Sequence, residues 1–140
     1  MNNNDTATNT STYRILIVDD ESDDTLTFKS ALEEAGLFKI HVFNDPQLAL
    51  SNFKSGIYDL MLVDIRMLKM NGYELYRELR NIDDKVKICF VTASEPFETF
   101  KAAFPTLNQN NYILKPIENE ELIERVKRIA ASQQAQSDSN

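Results

Sequence analysis

The sequence predicts an α/β fold, a doubly wound parallel sheet of five strands with five helices on its two faces. Three observations lead to this prediction. Five short apolar runs are spaced along the chain, amphipathic stretches separate them, and Gly or Pro residues stand at several junctions. Alternating strands and amphipathic helices are typical of a sheet that is covered on both faces and connected by right-handed crossovers.

The apolar runs are rich in Ile, Val, Leu and Phe, as expected for strands that are buried on both faces of a parallel sheet. In chain order they are RILIV (14–18), KIHVF (39–43), DLMLV (59–63), KICFV (87–91) and NYILK (111–115). None approaches the ~20 apolar residues of a membrane-spanning helix, so we expect no membrane association.

The stretches between the runs are patterned as helices. The first, Ser22 to Ala35, begins with a Ser22 cap and first-turn acids and stops at Gly36. The second opens with Asp45-Pro46, a cap followed by a proline at the first helical position, and stops at Gly56. Three further helices are predicted over about 72–80, 95–104 and 118–131.

Composition indicates one folded domain with polar ends. The chain has 140 residues, 42% of them apolar and 26% charged. A net charge of -7 argues against direct nucleic-acid binding, which needs a basic face. The single cysteine, Cys89, cannot form an internal disulfide, which suits the cytoplasm. Residues 13–131 are predicted to fold, with a disordered tail at 1–12 and a second tail, or the start of a linker, at 132–140.

The fold class predicts where a functional site lies. In open α/β sheets, ligands bind beyond the carboxyl ends of the strands. Asp19 and Asp20 follow the first strand, Asp64 the third, Thr92 the fourth and Lys115 the fifth. Three acids, a hydroxyl group and a lysine are therefore expected at one rim of the sheet.

These residue types fit phosphoryl transfer beside a metal ion. Clustered carboxylates repel one another unless a cation lies among them, and oxygen ligands favour Mg²⁺, Mn²⁺ or Ca²⁺ over zinc. A carboxylate is a competent nucleophile towards phosphorus, and a metal and a lysine can stabilise the phosphoryl oxygens. The chain has only 3 glycines, so a glycine-rich phosphate loop is excluded.

The motifs resemble those of the receiver domain of response regulators in two-component signalling. The segments that carry the resemblance are ILIVDDE, DLMLVDIRM, MNGYEL, VTAS and YILKP, and the match covers about Tyr13 to Ala131. The resemblance implies the flavodoxin-like strand order 2-1-3-4-5. It also implies a signalling switch, with no enzymatic activity beyond self-phosphorylation from small donors and autodephosphorylation.

The resemblance implies roles for individual residues at the rim. Asp64 would accept a phosphoryl group from a sensor histidine kinase or a phosphotransfer protein. Asp19, Asp20, Asp64 and the backbone carbonyl of Arg66 would hold Mg²⁺, with Mn²⁺ as an alternative. This implied ligand set contains only oxygen atoms, as Mg²⁺ requires.

Further roles concern the way the signal leaves the site. By the resemblance, Thr92 and Lys115 would contact the phosphoryl group, and Tyr112 would be an aromatic switch residue. The fourth helix, fifth strand and fifth helix would form a face for a dimer or for a downstream effector that the sequence does not name. We expect the kinase to dock near Ser22 to Phe28, and the Lys115-Pro116 bond to be cis.

The sequence departs from the family pattern at two places. Leu68 stands where proline is usual, which should alter the mobility of the loop over the site while leaving the ligands intact. The segment FPTLNQNN replaces a usual Gly-Ala pair, so the sequence does not predict the local conformation before the fifth strand.

Two other classes of function remain. A pseudo-receiver would bind a partner without phosphate, although the complete set of acids, threonine and lysine argues against it. An enzyme on a similar sheet is the second alternative. A flavodoxin would need a different loop after the first strand, because DDESDDT would repel a phosphate. An aspartate-dependent phosphatase would need a D-x-D motif, whereas Asp64 is followed by Ile65 and Arg66.

Overall fold

In the computed structural model, which describes residues 12–132, five parallel strands form one sheet in the order β2-β1-β3-β4-β5. The strands are β1 (Tyr13–Val18), β2 (Phe38–Phe43), β3 (Leu60–Val63), β4 (Lys87–Thr92) and β5 (Tyr112–Leu114). The predicted sheet and its strand order are confirmed. The tails predicted at 1–12 and 132–140 lie outside the described residues, apart from one residue of each.

Five helices connect and cover the strands, as predicted. They are α1 (Ser22–Glu34), α2 (Pro46–Asn52), α3 (Gly72–Ile82), α4 (Phe97–Ala103) and α5 (Asn119–Ala131), with a 3₁₀ turn at Gln109–Asn111. The fourth helix is shorter than predicted, at 7 residues, because Pro96 is its N-cap and has extended backbone. No helix within 12–132 combines the length and the apolar character that crossing a membrane requires.

The two predicted helix caps had different outcomes. Asp45 caps α2 as predicted, since its side chain accepts a hydrogen bond from the Gln47 amide at 2.9 Å. The Ser22 cap was wrong. Glu21 occupies the N-cap position of α1 with extended backbone, and Ser22 is already helical. The Glu21 amide donates to Asp19 at 2.9 Å, so α1 begins from a turn that the site acids themselves organise.

Strand residues alternate between two cores, which explains the continuous apolar runs. Leu16, Val18 and Phe90 face the core under α2, α3 and α4. Ile15 and Cys89 face the second core, under α1 and α5. The buried Cys89 thiol is packed as an apolar group, as expected, and burial raises its pKa to about 12.

The parallel register brings the strand ends to one rim. Val18 of β1 lies opposite Val63 of β3, so the following residues, Asp19 and Asp64, emerge side by side. The Asp64 amide donates to the Val18 carbonyl at 2.9 Å and fixes this arrangement. At the other end of the rim, the Lys115 amide donates to the Thr92 carbonyl at 2.8 Å.

Candidate functional site

Three carboxylates meet at the rim. Asp19, Asp20 and Asp64 each place one oxygen so that all three lie within 4.8 Å of one another. Asp19 and Asp64 are only 3% and 6% exposed, so their like charges are poorly screened by water. Acids held this close and this deep are costly unless a positive group compensates them.

Asp64 has the environment of a ligand-binding group. Its Oδ1 atom is buried and has no hydrogen-bond partner among the residues that the structure describes. Burial, followed by the charge of Asp19, raises the pKa of Asp64 to about 7, while Lys115 and the Thr92 hydroxyl act in the opposite direction. A buried oxygen without a partner beside two more carboxylates is a donor set that fits a hard divalent cation.

Asp20 is oriented by the loop that follows β3. The Leu68 amide donates a hydrogen bond of 2.9 Å to Asp20 Oδ2. A proline at position 68 has no N–H group and could not make this bond. Leucine therefore gives the loops after β1 and β3 a direct contact, while its side chain lies 78% exposed.

Gly72 lets α3 begin directly against the Asp64 backbone. A β-carbon at this position would overlap the Asp64 carbonyl oxygen and lie 2.9 Å from the α-carbon of Ile65. The Gly72 amide also donates to the Ile65 carbonyl at 2.8 Å. The capping box between Asn71 and Glu74 then starts the helix at this position. The MNGYEL segment thus supports the loop that carries Asp64.

Lys115 is bound to two acids, one of which the sequence did not indicate. Its Nζ atom lies 2.6 Å from Asp24 Oδ2 and 2.9 Å from Asp19 Oδ2. The distance to Asp64 Oδ2 is 3.9 Å, which is an ion pair without a hydrogen bond. Burial lowers the pKa of Lys115, but the hydrogen bonds that Lys115 donates to Asp24 and Asp19 and the charges of Asp19 and Asp64 outweigh burial, so the net shift of the pKa is upward. The only sequence sign of Asp24 is its place in the acidic segment DDESDDT.

Thr92 and Tyr112 lie on the side of the rim towards α4. Thr92 is fully buried, and its Oγ1 accepts from the Ser94 amide at 3.5 Å. Tyr112 is 8% exposed and stacks on Phe100 with ring centroids 5.1 Å apart. Its hydroxyl donates to the Glu95 carbonyl. The Tyr112 ring thus points inward, towards α4.

Glu95 is a second residue that the sequence did not indicate. Its carboxylate is only 8% exposed and pairs with Arg66 Nε at 2.9 Å, although Arg66 itself is 66% exposed. Arg66 lies in the loop after β3, two residues beyond Asp64. Glu95 therefore contacts this loop through its side chain and Tyr112 through its carbonyl.

The segment before β5 has a defined shape despite its departure from the family pattern. Leu107 is 1% exposed and anchors the segment in the core. The Asn108 side chain accepts from the Asn110 amide at 2.8 Å, and the Asn111 side chain donates to the Ile88 carbonyl at 2.6 Å. The Lys115-Pro116 bond that follows β5 is cis, as expected.

Comparison with known proteins identifies the family. Residues 15–127 match the family model of the response regulator receiver domain, so the chain belongs to this family. Receiver domains are generally phosphoacceptors without enzymatic activity. As a class, they bind Mg²⁺ at an acidic pocket.

The curated relatives are longer than this chain. The transcriptional regulatory protein PcoR of Escherichia coli is 27% identical over 124 residues, covering 89% of this chain and 54% of PcoR. The regulatory protein AtoC of Escherichia coli (strain K12) is 33% identical over 113 residues, covering 81% of this chain and 24% of AtoC. The chain thus spans about half or less of the length of these two relatives.

Solved receiver domains share the fold. The non-phosphorylated HemR receiver domain of Leptospira biflexa superposes with a TM-score of 0.75 at 22% identity, covering 86% of this chain and 96% of that one. The response regulator TrrA of Thermotoga maritima, solved in complex with Mg²⁺ and BeF, has a TM-score of 0.69 at 33% identity. That match covers 84% of this chain and 98% of TrrA.

Proposed function

We propose that the domain is a phosphorylation-dependent switch in which Asp64 accepts a phosphoryl group from a sensor histidine kinase or a phosphotransfer protein, with Mg²⁺ as cofactor. The observation that carries the proposal is the buried Oδ1 of Asp64, which has no hydrogen-bond partner within residues 12–132 and lies beside two carboxylates and the Lys115 ammonium. The chain's membership in the receiver family supports it. We place the protein in the cytoplasm on the same ground.

The transfer requires an ionised Asp64 carboxylate. One of its oxygens attacks the phosphorus of a phosphohistidine; the new P–O bond forms as the P–N bond breaks, and the imidazole nitrogen keeps the electron pair. The Lys115 ammonium, 3.9 Å from Asp64, favours the ionised carboxylate and can contact the transferred group. The Thr92 hydroxyl can donate a further hydrogen bond.

The acidic residues would hold the cation that this charge distribution needs. Asp19, Asp20, Asp64 and the Arg66 carbonyl are the ligands we assign, with Mn²⁺ as an alternative to Mg²⁺. When bound, the ion would neutralise charge on the phosphoryl oxygens. The oxygen-only set and the clustered carboxylates support this assignment.

Labelling with a small donor tests the chemistry. Acetyl phosphate with Mg²⁺ should add one phosphoryl group to the wild-type protein by intact mass, and EDTA should prevent it. The Asp64→Asn variant, which keeps the size of the side chain, should remain unlabelled. Equal labelling of that variant would place the acceptor elsewhere. A folded wild-type protein that is never labelled would support the pseudo-receiver alternative.

We further propose that Thr92 and Tyr112 transmit the signal. The inward Tyr112, stacked on Phe100, is the state that a phosphoryl group on Asp64 would favour by drawing Thr92 towards it. In this proposal the Tyr112 ring exchanges between inward and outward positions, so beryllofluoride with Mg²⁺ should raise the inward population and shift the NMR signals of Tyr112 in the wild type. In Thr92→Ala the mimic should still bind at Asp64 while Tyr112 stays unchanged. Equal changes at Tyr112 in both proteins would contradict this role.

The partners we propose follow from two surfaces. A cleft of about 340 Å³ opens between α1 and the loop after β5, and Asp24, Phe28 and Lys115 are among its lining residues. A kinase or phosphotransfer helix would dock there, and NMR shifts confined to the opposite face would contradict this. The second surface is the α4–β5–α5 face, where Leu114 is 55% exposed, and it would serve an effector or a dimer.

A further inference from the structure

The Lys115 ammonium is held by a carboxylate outside the acid cluster. Asp24 lies in the first turn of α1, 91 residues before Lys115 in the sequence. Its 2.6 Å contact is the shortest that Lys115 makes to an acid in the described chain, ahead of 2.9 Å to Asp19 and 3.9 Å to Asp64. Asp24 therefore helps to decide where the ammonium group lies.

The two acids that bind Lys115 differ in how easily they can release it. The Asp19 side chain is 4% exposed, and losing the ammonium would leave a buried charge without compensation. The Asp24 side chain is 40% exposed, so water can replace the ammonium at little cost. Lys115 itself is 10% exposed, so its position depends on these protein contacts more than on solvent.

An ammonium group has three N–H donors, and two of them are engaged here. A phosphoryl group on Asp64 would place roughly two negative charges and three acceptor oxygens close to Lys115. The Asp24 bond competes with that contact, because it holds the ammonium at the α1 side of the cleft. Releasing Asp24 while keeping Asp19 would let Lys115 turn towards Asp64.

We propose that Asp24 is a positioning residue: it holds the Lys115 ammonium away from Asp64 in the unphosphorylated protein and yields it when a phosphoryl group arrives. The proposal deepens the proposed function and depends on Asp64 being the acceptor. Within residues 12–132, Asp24 is not a member of the three-carboxylate cluster, and the side-chain bond recorded for it is the one to Lys115. It acts through Lys115 alone and sets the affinity of the site for the phosphoryl group.

The neighbouring residue Asp23 offers a matched control. It lies in the same first turn of α1 and is exposed, and it is not among the acids of residues 12–132 that form an ion pair with Lys115. Asp23→Asn and Asp24→Asn therefore remove the same charge at adjacent positions of the same helix. Only Asp24→Asn converts the ion pair with the ammonium group into, at most, a weaker hydrogen bond to a neutral amide oxygen.

The affinity for beryllofluoride, measured by NMR titration at saturating Mg²⁺, tests the proposal. Asp24→Asn should bind the mimic about threefold more tightly than the wild type, the size expected from losing one half-exposed ion pair. Asp23→Asn should match the wild type. An equal gain in both variants would mean a general charge effect and would overturn the proposal. Weaker binding by Asp24→Asn would also overturn it, because Asp24 would then assist the contact.

A second measurement separates this proposal from the proposed function. The ¹⁵N signal of the Lys115 amine in the unphosphorylated protein reports on its hydrogen bonds and needs no phosphoryl mimic. It should shift in Asp24→Asn and stay in place in Asp23→Asn. A wild type that bound no beryllofluoride would contradict the function of Asp64, while the amine signal would still decide the Asp24 contact. An unchanged Lys115 signal in Asp24→Asn would overturn the positioning role by itself.

Discussion

Two regions on the same sheet differ in side-chain chemistry, since one is charged and the other is aromatic. At the rim, the Lys115 ammonium forms ion pairs with Asp19, Asp24 and Asp64, and a fourth carboxylate, Asp20, lies beside Asp19 and Asp64. On the face under α3 and α4, seven aromatic rings pack in edge and stacked contacts. These rings, here called the aromatic cluster, are Tyr73, Tyr76, Phe90, Phe97, Phe100, Phe104 and Tyr112.

The aromatic cluster stabilises the fold, whereas the acids at the rim form the candidate site. Buried rings contribute apolar burial together with favourable edge and face contacts. Buried acids oppose folding until a cation or a ligand compensates them. The two regions meet at Glu95, whose carboxylate binds Arg66 beside the site and whose carbonyl accepts the Tyr112 hydroxyl at the cluster. Glu95 therefore connects the charged rim to the aromatic cluster.

The largest expected effect comes from opening the aromatic cluster. Phe100 is 0% exposed and contacts Phe90, Phe97, Phe104 and Tyr112. Phe100→Ala should lower the free energy of unfolding by about 4 kcal/mol, measured by urea denaturation, because it leaves a cavity. The exposed Leu114→Ala should cost less than about 1 kcal/mol. Similar losses in the two variants would mean that the cluster is not a main source of stability.

At the rim we expect a substitution to raise the free energy of unfolding. The pKa of Asp64 is raised to about 7 in the folded protein, so between about pH 4 and pH 7 the folded state binds more protons than the unfolded state. The free energy of unfolding therefore declines as the pH rises through this range. In EDTA at pH 8, Asp64→Asn should be about 2 kcal/mol more stable than the wild type, by urea denaturation. The difference should vanish below about pH 3, where Asp64 is mostly protonated in the folded and the unfolded state.

Magnesium provides the control for that comparison. Because Asp64 is one of the assigned ligands, adding Mg²⁺ at pH 8 should stabilise the wild type more than Asp64→Asn. An Asp64→Asn variant that is less stable than the metal-free wild type at pH 8 would contradict the description of the rim as a strained cluster of charges.

The smallest expected effect concerns the hydrogen bond between the loop after β1 and the loop after β3. Leu68→Pro removes the amide that donates to Asp20 and should lower stability by about 1 kcal/mol, whereas Leu68→Ala keeps the amide and should change little. Urea denaturation of both variants measures the difference. In an Asp20→Ala background the two should become equal. A proline cost that persists there would come from backbone strain and not from the Asp20 bond.

The features that the sequence predicts well are local or periodic. The strand order was implied by the family resemblance that the motifs carry. Asp19, Asp64 and Lys115 converge because each directly follows a strand of a parallel sheet. The Asp45 cap was predictable for the same reason, since its bond spans two residues.

The features that the sequence did not reveal depend on approach between distant segments. Asp24 and Lys115 are 91 residues apart, Arg66 and Glu95 are 29 apart, and the Leu68 amide reaches Asp20 across 48. Any exposed acid of DDESDDT could have been the partner of Lys115, because only the angle of α1 to the rim selects Asp24. The Ser22 cap was wrong although the contact concerned is local. The Glu21 amide bonds Asp19, two residues away, and the helix starts one residue earlier than predicted.

The most direct test of the central claim is to locate the phosphoryl group within the chain. Borohydride reduces an aspartyl phosphate to homoserine, which marks the acceptor permanently before peptide mapping by mass spectrometry. After treatment with acetyl phosphate and Mg²⁺, we expect homoserine at position 64 alone, with Asp19, Asp20 and Asp24 intact. Homoserine at any of those three positions, with Asp64 unchanged, would contradict it.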